Sequence, residues 1–121
     1  MALGAFGIYD ALIEDLKQEL GRHIPRLVAE SARRCATGGR FEADLVSREG
    51  IVRRQMALQG LGNLRRYVVQ KDHMLVKIEN ACLHPIMAGT FQGFFELISG
   101  RRGEVEWDCA PDGDLSITVW A

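Results

Sequence analysis

The spacing of hydrophobic positions changes halfway along the chain. Across "GIYDALIEDLKQELG", Ile8, Leu12, Ile13, Leu16 and Leu20 fall close to one stripe of a 3.6-residue helix, with acids and Lys17 opposite. Gly21 and Pro25 are expected to end or bend that helix, because proline lacks a backbone donor and clashes with the preceding turn. "RLVAESARRCA" predicts a second helix from about Arg26, stopped by Gly38-Gly39. "SREGIVRRQMALQ" predicts a third, with Ser47 as its N-cap, a thin stripe through Val52 and Met56, and an end at Gly60.

Beyond Gly60 the period becomes two. "NLRRYVVQ" is rich in β-branched and aromatic residues, and "MLVKIEN" alternates Met74, Val76 and Ile78 against Leu75, Lys77 and Glu79, which predicts a hairpin. "HPIMAGTFQGFFELISG" reads as a helix with Pro85 in its first turn and Gly100 just past its end. "EVEWDC" and "DLSITVW" alternate again around "APDG", giving a second hairpin. The expected fold class is α+β: N-terminal helices, then β-β-α-β-β, with a four-stranded antiparallel sheet packed against helices in two layers. A single domain over 1–121 is expected, mainly helical over 1–60 and ββαββ over 61–121.

Composition narrows the classes without naming one. With 121 residues, 47% hydrophobic and 26% charged, the chain is an ordinary globular size and mixture. A formal charge of −1 excludes strong global attraction to nucleic acid, and no apolar run approaches the ~20 residues of a membrane span. Without a basic segment leading into an apolar h-region, a cytoplasmic location is expected. Three cysteines without a C-x-x-C pair suit reduced thiols there. Four Arg-Arg pairs are matched by equally numerous acids and read as solvated or partner-facing, and consecutive Arg65 and Arg66 should face opposite sides of a strand. No serine or cysteine sits in a recognisable nucleophile motif and no glycine-rich loop follows a strand at phosphate-binding spacing, so no enzyme is expected.

Two features carry candidate chemistry. Gly89 and Gly93 share a helix face where a backbone or ligand can approach closely, beside Met87, Phe91, Phe94 and Phe95. These six are the candidate ligand-binding residues of an apolar pocket between this helix and the sheet; a tightly packed core helix is the competing account. The second feature is "DCAPDGD", where a cysteine and an aspartate flank a turn that needs only Pro111-Asp112-Gly113.

Residues 60–120 resemble the 4-vinyl reductase (4VR) domain family, which shares its fold with TRAPP vesicle-tethering subunits. The resemblance rests on "GLGN", on "IENACLHPIMAGTFQGFFELISG" with its glycines four apart, and on the Cys-x-x-x-Gly-Asp turn of "VEWDCAPDGD". It implies a small-molecule-binding or sensory module for an apolar ligand. The trafficking relatives imply instead a dimeric scaffold with a filled core, and the name-giving members an accessory role in tetrapyrrole reduction. Family members that sense ligands carry a longer N-terminal portion, which implies less room for a cavity here. Their zinc ligands fall by position on His84, Glu106 and Cys109, with the fourth on Ile117, which cannot bind metal. Strand alternation also sends Glu106 and Cys109 to opposite faces. No cofactor is therefore expected, and zinc at these three residues is a remnant at most. The apolar stripe of the first helix must be buried somewhere, and a symmetric homodimer is the expected partner arrangement.

Overall fold

A computed structural model describes residues 2–121, with side chains described from Leu12 onward except at positions 13, 17, 22 and 40. Ile8 and Ile13 of the expected stripe, and Lys17 opposite it, thus lie outside the described side chains. The elements run α1 (Ala2–Cys35), α2 (Ala43–Val46), α3 (Glu49–Leu58), β1 (Asn63–Val69), β2 (His73–Glu79), α4 (His84–Ser99), β3 (Glu104–Cys109) and β4 (Leu115–Trp120). The α+β class and the β-β-α-β-β order are as the periodicity predicts.

The helical half differs from its expectation. Instead of two helices parted near Pro25, α1 is one helix of 34 residues with Pro25 inside it. Proline in a helix interior frees the carbonyl four residues back and costs about 3 kcal/mol. Here that carbonyl belongs to Gly21, which is exposed and open to water. Downstream, Ala29 and Ala36 pack against α4 and hold the remaining turns in line. A wider terminal turn, Ala36–Arg40, ends the helix where Gly39 takes φ +93°. Ser47 is not the N-cap of the third helix. Its hydroxyl donates to Asp44 O at 2.8 Å and it closes the unpredicted short α2, while extended Arg48 stands before α3.

The sheet is antiparallel in the order β1-β2-β4-β3. Its inner face presents Met74, Val76, Ile78, Leu115, Ile117 and Val119, all buried. A register shift between Leu64 and Arg66 places a bulge in β1. The extra residue breaks the alternation, so Leu64 and Tyr67 are both buried while Arg65 and Arg66 are both exposed. The expectation that these arginines face opposite sides fails for that reason. At the other edge, β3 leaves Glu104, Glu106 and Asp108 exposed.

α4 lies against the inner face of the sheet, and α1 lies against α4. Phe95 is wholly buried beside Val119. Two hydrogen bonds tie α4 to Gly103 ahead of β3: Gln92 Nε2 donates to Gly103 O at 2.7 Å, and Gly103 N donates to Glu96 Oε2 at 2.9 Å. Gly100 ends the helix with φ +71°.

Candidate functional site

α4 is apolar almost all round, and its faces have three different neighbours. The glycine face meets α1. A Cβ on Gly89 would stand 1.9 Å from the Ala29 carbonyl oxygen, and one on Gly93 would stand 2.5 Å from Ala36 Cβ. Only glycine admits α1 this closely. Arg33 locks the seam from the side: its Nη1 donates to Glu96 Oε1 at 2.8 Å and its Nε to Glu30 Oε2 at 3.0 Å. The Arg33 hydrogen bond, with Arg34 nearby, holds the Glu30 carboxyl down at about 2, well below its ordinary 4.5.

A third face, through Met87, Phe91 and Phe94, borders a cleft of about 780 Å³. Val28, Ala32 and Cys35 of α1 form one wall, and Leu45, Val46, Val52 and Met56 of α2 and α3 form the other. Tyr67 fixes the second wall to the sheet, its buried hydroxyl donating to Val46 O at 2.5 Å. Burial pushes the pKa of that phenol up. Phe41 stands edge-on to Phe94, ring centres 5.0 Å apart, and Phe91 stands edge-on to Phe94 at 5.6 Å. Phe41, Leu45 and Ile51 remain 36–43% exposed at the mouth. Among the described residues no lining side chain carries a charge; Ser31, Cys35, Gln55, Gln59 and Thr90 supply the polar atoms. A volume of this size lies within the range of small-molecule sites.

The candidate residues therefore divide. Met87, Phe91 and Phe94 line the cleft, Gly89 and Gly93 form the α1 seam, and Phe95 fills the sheet-side core. The space lies on the helical side of α4, whereas between α4 and the sheet the side chains meet. The α1, α2 and α3 lining was not singled out from the sequence. Its one available signal was the thin Val52 and Met56 stripe, because both positions face the cleft.

At the second candidate site, Cys109 Sγ and His84 Nε2 lie 3.9 Å apart, and the His84 ring also meets the Ala81 carbonyl at 3.0 Å through Nε2. Glu106 alternates to the opposite sheet face, and Ile117 is buried in the core. Among the described residues no group of three or more histidine, cysteine or acidic side chains comes together. Two donors fall short of the four a structural zinc requires, so these residues do not fit the metal. The "APDG" segment is a working turn: Ala110 N donates to Asp114 O at 2.8 Å, Asp114 N donates to Asp112 Oδ1 at 3.0 Å, and Gly113 takes φ +92°.

Some arginines of the paired motifs are held by acids: Arg33 and Arg34 by Glu30, Arg53 by Glu49 and Arg65 by Glu79. Among the described residues no helix is long and apolar enough to cross a membrane.

An α+β chain with a four-stranded antiparallel sheet, and with a cleft beside its glycine helix that is uncharged among the described residues, is the class that these features define. No family model matches the chain, and no curated protein does. Among solved structures it is similar to the crystal structure of a vinyl-4-reductase family protein from Methanocaldococcus jannaschii. That match has a TM-score of 0.52 and 13% sequence identity, and covers 98% of this chain and 80% of that one. The chain has the fold of that protein.

Proposed function

We propose that the chain is a non-enzymatic binding module that takes an uncharged apolar small molecule into the cleft between α1, α3 and α4, as a sensor or carrier in the cytoplasm. The observation that carries this reading is the cleft itself: about 780 Å³, flanked by Met87, Phe91 and Phe94, with no charged side chain among the described residues of its lining. Binding would desolvate the ligand against aromatic and methionine surface, at roughly 25 cal/mol per Å² of apolar area removed from water. Ser31, Gln55, Gln59 and Thr90 offer neutral hydrogen bonds, which suit a hydroxyl or carbonyl and give no counter-charge to an acid.

Titration with Nile red, a neutral solvatochromic dye, tests the reading. The native protein is expected to shift the dye emission to the blue and saturate. Thr90→Phe, which fills the cleft from α4 without touching the seam, should weaken binding at least tenfold. Native mass spectrometry before and after organic extraction should show a mass that extraction removes. Dye binding that ignores Thr90→Phe would defeat the proposal.

A second reading, a dimeric interaction scaffold, draws support from α1. Every described side chain between residues 12 and 24 is exposed, including Leu12, Leu16, Leu20 and Ile24. A homodimer through this stripe is compatible with either reading. A dimer that carries no extractable mass and ignores the dye would favour the scaffold.

A further inference from the structure

The cleft sorts its lining by depth. Val46, Val52, Met56, Met87, Phe91 and Phe94 are buried and form its floor. Ser31, Cys35, Gln55 and Gln59 are exposed at its mouth, and Thr90, half-buried, is the deepest polar group among the described lining residues. Phe41, Leu45 and Ile51 carry apolar surface out to the mouth beside them.

The sorting is built into the two wall helices. On α1, Ser31 and Cys35 each stand one residue before Ala32 and Ala36; on α3, Gln55 stands one residue before Met56. One residue turns the direction of a side chain by about 100° around a helix. Each wall thus shows an apolar row inward and a polar row outward. On α3 both rows repeat at four residues, Val52 with Met56 inside and Gln55 with Gln59 outside.

Depth decides which end of a ligand goes in. A hydroxyl or carbonyl pushed onto the floor loses its water and meets hydrocarbon and two thioethers, which are poor hydrogen-bond partners. The same group left at the mouth keeps its water and gains the carboxamides of Gln55 and Gln59, each of them donor and acceptor. A molecule with a polar group at each end satisfies only one of them here.

Given the binding function proposed above, we infer that the ligand is an amphiphile with a single neutral polar end, which enters apolar end first and leaves that polar end at the mouth between Ser31 and the Gln55–Gln59 row.

Two constitutional isomers test this on the full chain. Decane-1,2-diol carries both hydroxyls at one end, and decane-1,10-diol carries one at each end, so composition is equal and only placement differs. In displacement of Nile red, corrected for each isomer's octanol–water partition, the first is expected to bind on the order of tenfold more tightly. In NMR spectra of its complex, the terminal methyl of the first isomer should contact the Met56 and Met87 methyl groups. Its hydroxyl-bearing carbons should contact the side-chain amides of Gln55 and Gln59. The double variant Gln55→Leu/Gln59→Leu changes only exposed positions, so its thermal midpoint should stay near that of the parent while its affinity for the first isomer falls several-fold. An unchanged affinity there would overturn the placement of the polar end. Equal corrected affinity for the two isomers, or hydroxyl-bearing carbons in contact with Met56 and Met87, would overturn the inference and leave the cleft a binding site for the dye. A protein that takes up neither dye nor diol would defeat the proposed function, and the ligand class with it.

Discussion

The two flanks of α4 are made of similar residues and behave differently. Toward the sheet and the α1 seam, Phe95, Ala88, Gly89 and Gly93 are packed to contact, and Gly103 is gripped by two hydrogen bonds. Toward α2 and α3, Met87, Phe91 and Phe94 border open volume. The difference comes from the neighbours rather than from α4. A strand ladder presents a continuous surface that a helix can match. The four-residue α2 and ten-residue α3, joined by an extended Arg48, leave a gap. Apolarity along a helix therefore marks where burial is available, and the length and connection of the facing elements decide whether that burial is complete.

Removing an aromatic ring from each flank gives the sharpest contrast. Phe95→Ala should destabilise the fold by about 3–5 kcal/mol, the usual loss for a fully enclosed aromatic. Phe94→Ala should fall at the low end of that range, about 3 kcal/mol, because that ring borders the cleft on one side. Equal losses in urea melts would erase the distinction. Gly89→Leu comes next. It drives a side chain into the Ala29 carbonyl and should cost on the order of 3 kcal/mol by lifting α1 from α4.

These positions also show what the sequence discloses. The two hairpins and α4 were legible because alternation, Pro85 and Gly100 mark their limits at short range. A close approach at Gly89 and Gly93 was legible as well, since their spacing puts both on one face, but not that α1 rather than a ligand makes it. The open side was not. A helix with Met87, Gly89, Phe91, Gly93, Phe94 and Phe95 is apolar in nearly every direction, so its own pattern cannot say which face meets a sheet and which meets a cleft. Nor was the continuity of α1 legible at Pro25. The local rule for proline was overridden by an exposed Gly21 and by the packing of Ala29 and Ala36 in three dimensions.

Smaller effects probe the supports of the open side. Tyr67→Phe removes the donor that satisfies the Val46 carbonyl and should cost about 1 kcal/mol. It should also weaken Nile red binding, because α2 loses its tie to the sheet. A change in stability without a change in dye affinity would separate the wall from the site. The smallest expected effect concerns acid. Glu30 has a folded pKa of about 2 against 4.5, so the unfolded chain takes up its proton first as pH falls. Its contribution is complete above about 4.5, declines below that, and is gone near 2. With its side chain 35% exposed, solvent screens much of this. Glu30→Gln should therefore flatten the acid limb of a stability–pH curve only slightly, measured by urea midpoints from neutral pH downward.

The bulge in β1 and the acids of β3 have a consequence for how copies of this chain can meet. An unpaired strand edge offers free amides and carbonyls to any similar edge, and repeated pairing of that kind builds ribbons and fibrils. Two β3 edges brought side by side would stack Glu104, Glu106 and Asp108 into one repelling column of carboxylates, and the kink at Arg65 interrupts the row of free groups along β1. Both rims of the sheet thus discourage growth strand by strand, which leaves helical surfaces as the open route to assembly.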